Sequence, residues 1–477
     1  MLRTSTRQKS RALSRSIWTK HIKFSKGDFA PLAVLITGDI YVRFYYIFPR
    51  RKFMSQYKDM TKEELQALKA ELCAQYDAFK AKGLKLDMSR GKPNRAQLDL
   101  SNPMLDVLNS ESDMKTEDGT DVRNYGVMTG IPECRKLFGD LMGVSSDNVI
   151  IFGSASLTIM YDYIAQCMIF GCGGEPWLKQ DKIKFLCPAP GYDRHFGILQ
   201  HFGIEMITVE MKEDGPDMDK IEEAVKDEKV KGVFCVPKYS NPDGITFSDE
   251  VVRRFAALKP AAKDFRVIWD NAYLVHDIND TPDELLNIFD VAKEYGSEDM
   301  FIEVCSTSKI SFAGAGVSAL AASDANIADI KKRMTIQTIS HDKVNQLRHV
   351  RYFKDVDGIK AHMKKHAAIL KPKFDAVTDG FEKAFDGTGI ARWKKPNGGY
   401  FVSLFVMKGC AKRVGVLCKE AGLTLTSVGA TYPYGVDPDD SNIRIAPSFP
   451  DVDELELAVE LLCICVKLAA VEKLLAE

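Results

Sequence analysis

The chain has 477 residues, 45% of them hydrophobic and 27% charged, which is the composition of a globular protein with room for more than one domain and excludes a fibrous or disordered class. Its formal net charge of -1 gives no reason to expect nucleic acid or an anionic membrane as a main partner. The 11 cysteines stand singly apart from Cys463 and Cys465, and neither they nor the eight histidines have zinc-ligand spacing. We therefore expect no metal site and a reducing, cytoplasmic location.

The first 53 residues differ in composition from the rest of the chain. They carry twelve Lys or Arg residues against two acids, a bias that resembles a transit peptide. The apolar stretch between positions 29 and 48 is interrupted by Asp39 and Arg43, so we predict no membrane span there. We expect residues 1–53 to be a disordered leader or not to be translated, with the protein starting at Met54. The intact mass of the native protein tests this expectation.

A capped helix is predicted shortly after Met54. Thr61 and Glu64 have the spacing of a capping box, and an apolar stripe predicts a helix from Lys62 to Lys82 that ends at Gly83. We assign residues 54–95 to this helix and to an arm that joins a smaller domain.

Strand-like apolar runs then alternate with segments of helix length. The runs are Val149 to Phe152, Ile183 to Cys187, Gly232 to Val236, Val267 to Trp269 and Phe301 to Cys305. Such alternation predicts an α/β fold, a mostly parallel central sheet flanked by helices, which we assign to residues 96–344. Strand patterns at 398–406 and 442–446, with amphipathic helices around them, predict a smaller α+β domain over residues 345–477.

In a parallel sheet, ligands bind at the carboxyl ends of the strands. After the first run, the backbone N–H groups of Ser154, Ala155 and Ser156 are expected to form an anion nest at a helix N-terminus, suited to a phosphate. An ordinary N-cap fits the same residues. After the second run, Tyr192 stands on a proline-stiffened loop, where it either stacks on a flat ring or packs as a routine tyrosine.

The next two runs also end in polar side chains. Asn241 stands in an Asn-Pro turn, where its amide can hydrogen-bond a phenolic or carboxylate oxygen, although such turns also occur without function. Asp270 ends the fourth run, where a buried carboxylate is costly unless it meets a cation. Tyr273 lies three residues further on, near enough for both side chains to reach one ligand.

The fifth run turns abruptly into a polar segment that contains Ser306 and Lys309. A run of small and apolar residues with Gly314 and Gly316 follows at once, so Lys309 has few routes to bulk water. An amine held in such a place has a lowered pKa and can act as a nucleophile. Taken alone, this segment fits a lysine in a surface loop better than a buried nucleophile. The polar residues at the other strand ends favour the buried nucleophile.

Together these side chains form the set needed to hold pyridoxal phosphate (PLP). Lys309 would bind the cofactor covalently, Asp270 would keep its ring nitrogen protonated, and Asn241 with Tyr273 would hydrogen-bond its ring oxygen. Each piece is weak separately, whereas their order and placement are specific.

The body of the chain from about Met54 resembles the class I aminotransferases of the fold-type I PLP superfamily, and most closely the bacterial type Ic aspartate aminotransferases. The matching segments are Ser89-Arg-Gly-Lys-Pro93, Arg123-Asn-Tyr-Gly126 with Gly130, Pro190-Gly-Tyr-Asp-Arg-His195, Pro237-Lys-Tyr-Ser-Asn-Pro242 with Gly244, Trp269-Asp-Asn-Ala-Tyr273, Ser306-Thr-Ser-Lys309 and Asn442-Ile-Arg-Ile-Ala-Pro447.

The resemblance implies transamination of aspartate with 2-oxoglutarate. It also implies that Tyr125 reaches the cofactor phosphate of a neighbouring subunit, so that the active site depends on a homodimer. Arg444 is expected to bind the substrate α-carboxylate through two hydrogen bonds, and Gly91 to let the backbone approach the same carboxylate.

The sequence departs from the family pattern at two points. The segment after Lys309 lacks the arginine that holds the phosphate in many class I enzymes. Phosphate binding is therefore expected to depend on Ser306, the anion nest and a cation from elsewhere in the chain, or else to be weaker. The residue that reads the side-chain carboxylate of aspartate is not evident. The candidates are Lys92, Arg95, Arg194 and Arg348.

Two rival functions fit parts of the same sequence. The same residues can support a PLP-dependent lyase or decarboxylase, which product analysis separates from a transaminase. A PLP-binding regulator domain fused to a winged-helix module is the other rival, but the leader shows no helix-turn-helix pattern.

Overall fold

The computed structural model describes residues 56–477, so the predicted leader and the proposed start at Met54 lie outside the described residues. Within this range the α-helices are α1 (Lys62–Ala81), α2 (Arg95–Asp99), α3 (Pro132–Met142), α4 (Ser156–Phe170), α5 (Asp193–His201), α6 (Met218–Ala224), α7 (Asp249–Ala257), α8 (Ile288–Tyr295), α9 (Asp324–Gln337), α10 (Lys343–Phe353), α11 (Val356–Phe385), α12 (Ala411–Glu420) and α13 (Val452–Ala476). The strands are β1 (Leu86–Asp87), β2 (Val149–Phe152), β3 (Lys184–Ala189), β4 (Glu205–Lys212), β5 (Gly215–Pro216), β6 (Val230–Cys235), β7 (Arg266–Asp270), β8 (Phe301–Ser306), β9 (Ser318–Ala322), β10 (Ala391–Trp393), β11 (Val402–Val406), β12 (Leu423–Thr424) and β13 (Asn442–Ile445).

The largest sheet has the strand order β2-β9-β8-β7-β6-β3-β4-β5. Strands β8, β7, β6, β3 and β4 are mutually parallel, whereas β9 runs antiparallel to both β8 and β2, and β5 runs antiparallel to β4. The carboxyl ends of β2, β3, β6, β7 and β8 therefore meet at one edge of the sheet, as the sequence predicts.

Burial on both faces explains why the parallel strands are continuous apolar runs. Successive side chains point to opposite faces, so Val267 and Trp269 of β7 pack into one core cluster and Ile268 packs into another. The five predicted runs are confirmed as strands, each within two residues of its predicted ends. Strand β4 escaped prediction because it is partly exposed, and its polar residues Glu205, Thr208, Glu210 and Lys212 interrupt the apolar run.

The predicted first helix is confirmed as α1, which ends one residue before the predicted end. Its capping box is present, since the Thr61 side chain accepts from the Glu64 backbone and the Glu64 carboxylate accepts from the Thr61 backbone. The apolar face of α1 packs in one cluster with α11, α13 and the smaller sheets.

Two smaller sheets complete the described part of the fold. Strands β10, β11 and β13 form an antiparallel sheet that places Arg444 on its third strand. Strand β12 pairs in parallel with β1, which brings the loop around Gly91 beside the smaller sheets. The site residues on these elements are thereby held opposite the carboxyl edge of the large sheet.

A buried ion pair lies within the large sheet. Lys231 Nζ lies 2.8 Å from Asp264 Oδ1, and both side chains are almost completely buried. Asp264 also accepts hydrogen bonds from Trp177 and Gln180. A buried charge of this kind depends on its partner, because removing one charge leaves the other desolvated and uncompensated.

We expect Lys231→Met to lower the free energy of unfolding by about 3 kcal/mol at neutral pH, because it leaves the Asp264 carboxylate buried without a counter-charge. Urea unfolding measures this loss. The matched control is Lys184→Met on the neighbouring strand, whose pair with Asp227 is partly exposed and which should cost much less. Equal losses in the two variants would contradict the assigned role of burial.

Candidate active site

A cavity of about 610 Å³ opens at the carboxyl edge of the large sheet, and we call it the strand-end cavity. The predicted site residues that line it are Gly91, Ser156, Tyr192, Asn241, Asp270, Tyr273, Lys309 and Arg444. Tyr125, Ser154, Ala155 and Ser306 are not among its lining residues. The fold thus brings together side chains that are separated by more than 350 positions in the chain.

Lys309 follows β8 in a tight turn whose backbone hydrogen bonds run from Ile310 and Ser311 to the Thr307 carbonyl. Its Nζ lies 4.8 Å from the centre of the Tyr273 ring and 5.8 Å from that of the Tyr400 ring. Burial lowers the pKa of Lys309, and the nearby charge of Asp270 only partly offsets this effect. The lowered pKa agrees with the sequence analysis, and the role of Lys309 as a reactive amine stays a prediction.

Asp270 is held at the end of β7 with one oxygen engaged and the other unpaired. Its Oδ2 lies 3.0 Å from His195 Nε2, and the side chains of both residues are only 3% exposed. The His195 ring in turn stacks on Phe234 at a centroid distance of 4.4 Å. The Asp270 Oδ1 atom is buried and has no hydrogen-bond partner. Such an oxygen is costly unless a ligand supplies a donor.

The predicted anion nest lies at the N-terminus of α4. Ala155 is the N-cap residue, and no side chain caps the helix, so its first N–H groups face outward. Ser154 is fixed behind them, because its carbonyl accepts from Ser308 and its hydroxyl accepts from the Gly316 N–H. Ser306 joins the same network through a hydrogen bond from its hydroxyl to that of Ser308. The hydroxyls thus support the helix end rather than line the cavity.

Arg444 reaches the strand-end cavity from the smaller sheet. Its Nη1 donates to Asp193 Oδ1 at 2.8 Å and to Asn241 Oδ1 at 3.3 Å. The guanidinium is thereby oriented by one carboxylate and one amide. Gly91 lines the wall beside it, and a Cβ at that position would lie 2.3 Å from the Phe401 ring. A side chain at position 91 would therefore have to displace the Phe401 ring.

Two further arginines line the strand-end cavity, Arg90 and Arg194. Neither makes an ion pair with any residue in the described range 56–477. Arg194 was one of four candidates for a second carboxylate site, whereas Arg90 was missed. Arg194 also lies close enough to Tyr192 that its positive charge, like that of Arg444, lowers the pKa of that phenol against the larger opposing effect of burial.

The other three candidates do not line this cavity. Lys92 lies over the Phe449 ring at 3.8 Å, Arg348 donates to Asn345, and Arg95 is 94% exposed and lies 3.6 Å from Asp99. Tyr125 lies on the surface with 80% exposure.

A buried hydrogen-bond network lies behind Lys309, and sequence reasoning missed it. Gln97 Oε1 accepts from the Asn94 N–H, which fixes the orientation of the amide, so its NH2 group donates to the Tyr400 hydroxyl at 2.9 Å and to His366 Nδ1 at 3.2 Å. His366 therefore carries its proton on Nε2 when neutral. That nitrogen lies 3.1 Å from His362, which itself contacts the Ile310 carbonyl beside Lys309.

The spacing of the two histidines is the sequence feature that could have indicated this network. His362 and His366 stand four residues apart on α11 and hence on one face of the helix. Their connection to Tyr400 depends on tertiary contacts that the sequence does not display.

A second buried carboxyl lies on β8, opposite Trp269 of β7. Glu303 of β8 accepts a hydrogen bond from Asn271 Nδ2 at 2.9 Å. Burial raises the pKa of Glu303 to about 7, against an ordinary value of 4.5. The carboxyl is therefore protonated over much of the weakly acidic range in the folded protein.

The chain belongs to the aminotransferase family, since the family model described as aspartate amino-transferase matches residues 60–477. It is 46% identical over 417 residues to the aspartate aminotransferase of Corynebacterium glutamicum, across 87% of this chain and 96% of that protein. The crystal structure of an aspartate transaminase from that organism has a TM-score of 0.86 at 45% identity, over 88% of this chain and 99% of that one. The crystal structure of a putative aminotransferase from Corynebacterium diphtheriae has a TM-score of 0.82 at 45% identity. The match covers 84% of this chain and 100% of that chain.

These comparisons confirm the predicted family and the fold-type I α/β architecture. No helix within residues 56–477 is long and apolar enough to cross a membrane. Among the same residues, no group of three or more His, Cys, Asp or Glu side chains is arranged to hold a metal ion.

Glu303 generates a pH prediction. Above pH 4.5 this carboxyl ionises in the unfolded chain but stays protonated in the folded protein until about pH 7, so the unfolding free energy falls as pH rises through this window. We expect Glu303 to contribute a fall of up to about 3 kcal/mol. The variant Glu303→Gln keeps an acceptor for Asn271 and should lack this fall.

Urea unfolding of wild type and Glu303→Gln at pH 4.5 and pH 7.5 measures the difference. If the unfolding free energy changes equally between these two pH values in wild type and variant, Glu303 titrates normally.

Proposed function

We propose that this protein is a PLP-dependent aminotransferase that moves the amino group of aspartate to 2-oxoglutarate. One observation carries the proposal. The desolvated amine of Lys309 and the buried carboxylate of Asp270, one oxygen of which has no hydrogen-bond partner, line the same cavity at the strand ends. Membership of the aminotransferase family supports it, as does the activity named for the Corynebacterium glutamicum relative.

The residues present fit PLP. The unpaired Asp270 Oδ1 is placed to accept a hydrogen bond from a protonated ring nitrogen, and the α4 N-terminus is suited to the phosphate. Asn241 and Tyr273 would hydrogen-bond the ring oxygen, and Tyr192 would stack on the ring. When bound, the cofactor supplies a carbonyl that accepts an amino group and a ring that withdraws electrons from the reacting carbon.

Lys309 performs the proton transfer in this proposal. Its lowered pKa leaves more of the amine neutral near pH 7, and a neutral amine can take a proton from the substrate α-carbon and deliver it elsewhere. Tyr273 and Tyr400 pack around the amine and exclude water. The network of Gln97, His366 and His362 fixes the Tyr400 ring and the turn that carries Lys309.

The charges of the cavity favour a dicarboxylate substrate. Arg444 would bind the α-carboxylate, with Asn241 and Asp193 fixing the orientation of the guanidinium. Arg90 and Arg194 remain without an ion-pair partner among the described residues, and we assign them to the second carboxylate of aspartate and 2-oxoglutarate. Both guanidinium groups are exposed, so their position on the cavity wall, rather than a need for a counter-ion, supports this assignment.

We also propose a cytoplasmic homodimer in which each Tyr125 completes the phosphate site of the partner. The 80% exposure of Tyr125 in a single chain is the expected state of a residue that acts across an interface. The ten buried cysteines are all unpaired in the described part of the chain, which fits a reducing compartment.

Lys309→Ala is expected to abolish transamination, with turnover falling at least about 10⁴-fold, because the variant lacks the group that moves the α-proton. A coupled assay of oxaloacetate formation from aspartate and 2-oxoglutarate measures this loss, and assays for ammonia and carbon dioxide exclude a lyase or decarboxylase. The matched control is Lys343→Ala, which removes another buried lysine with a lowered pKa that does not line the cavity. Normal turnover in Lys309→Ala would refute the assignment.

Arg90→Gln and Arg194→Gln test the substrate assignment. Each is expected to lower kcat/KM for aspartate about 10- to 100-fold, the size of one lost charge-assisted hydrogen bond, while leaving kcat/KM for alanine, which has no second carboxylate, unchanged. Arg95→Gln, at an exposed position outside the cavity, is the control. Equal losses with aspartate and alanine would assign these arginines to the cofactor or the fold instead.

A further inference from the structure

A second cavity of about 720 Å³, which we call the rear cavity, lies behind the strand-end cavity. One wall comes from β3 and β4 of the large sheet, and the other comes from β10 and β11. Its apolar lining includes the rings of Trp393, Phe405 and Tyr432. None of the residues assigned to catalysis or substrate binding lines it.

The rear cavity contains an unsatisfied carboxylate. Asp243 is 7% exposed, and its Oδ1 has no hydrogen-bond partner. Burial raises the pKa of Asp243 to about 6, although a hydrogen bond from Ser403 and the charges of Arg392 and Lys394 oppose the rise. A hydrogen-bond donor close to Oδ1 would offset part of the free-energy cost of burying this carboxylate.

A guanidinium without an ion-pair partner faces the same space. The guanidinium carbon of Arg392 lies 3.8 Å from the centre of the Phe405 ring, and no carboxylate within residues 56–477 pairs with it. Its positive charge acts on both Asp243 and Tyr432, which places it near the two.

Most of the other charges on this cavity are already engaged. Lys212 pairs with Asp217 at 2.9 Å, and Lys394 Nζ donates to the Glu213 carbonyl at 3.4 Å. Glu210 and Asp439 are paired with Lys220 and Lys408. The Glu213 carboxylate and the Lys394 ammonium make no ion pair within residues 56–477 either, and both side chains are exposed. Asp243 is therefore the buried anion of this cavity, and Arg392 is the cation that lies over one of its aromatic rings.

The two cavities share their walls. Three short segments each give one residue to the rear cavity and another, two or three positions away, to the strand-end cavity. The pairs are Pro190 and Tyr192, Asp243 and Asn241, and Ser441 and Arg444. A ligand bound in the rear cavity that shifts these segments would also move the residues proposed to contact cofactor and substrate.

We propose that the rear cavity is an effector site for a free α-amino acid with an apolar or aromatic side chain. The ammonium group of the ligand pairs with Asp243, its carboxylate pairs with Arg392, and its side chain packs on Trp393, Phe405 and Tyr432. This zwitterion offers a cation to the unpaired Asp243 and an anion to the unpaired Arg392, which neither a simple anion nor a simple amine does. Its binding is independent of the proposed substrate pair.

Calorimetric titration of the PLP-loaded full-length protein with L-phenylalanine and with L-leucine tests the site. We expect saturable binding of at least one of them to wild type and to Arg444→Gln alike. Asp243→Asn and Arg392→Gln should weaken it about 10- to 100-fold, the effect of losing one charge-assisted contact. Asp439→Asn, which changes a paired carboxylate of the same cavity, is the control. Arg392 is exposed, so its variant keeps the test valid if Asp243→Asn fails to fold.

The effector role is measured separately, as the change in turnover on adding the bound amino acid at saturating substrate. A change in wild type that is absent in Arg392→Gln supports it, whereas unchanged turnover overturns it. Absence of binding by both amino acids overturns the site, as does binding that is lost in Arg444→Gln and kept in Arg392→Gln. These outcomes do not bear on the aminotransferase assignment.

Discussion

The site depends on one buried carboxylate, Asp270, whose two oxygens have different environments. His195 of α5 fixes Oδ2, whereas Oδ1 is buried without a donor, and Asp270 lines the cavity. A buried oxygen of this kind costs free energy unless a ligand supplies a donor, and in the function we propose a protonated ring nitrogen would supply it. The same carboxylate partly offsets the effect of burial on the Lys309 amine. In the proposed function, this one side chain at the end of β7 would therefore act on both cofactor binding and the lysine amine.

The remaining groups come from elements that the fold brings together from far apart. Arg444 belongs to the smaller sheet, yet it is oriented by Asp193 and Asn241 at the edge of the large sheet. Tyr400 packs against Tyr273 and is held by Gln97. Contacts between the two sheets thus set the geometry of the site, and the shared segments between the two cavities give an effector a route to it.

The fold and the centre of the site could be predicted because both follow local rules. Strands buried on both faces appear as apolar runs, and residues at their carboxyl ends must meet, which identified Asp270 and Lys309. Arg90 was missed because a charged residue in a loop gives no sign of facing a cavity. The network of Gln97 and the two histidines was missed because it joins positions 97, 362, 366 and 400, which only tertiary structure brings together.

The most direct test of the central claim is the near-visible absorption spectrum of the protein loaded with PLP, recorded before and after adding aspartate without any oxo acid. We expect the cofactor band to shift on adding aspartate and to return when 2-oxoglutarate is added. Transamination proceeds in two half-reactions: the first takes the amino group from aspartate, and the second gives it to the oxo acid. Between the two, the protein with its cofactor holds the amino group. A band that does not respond to aspartate, or the absence of any band after incubation with PLP, would contradict the account.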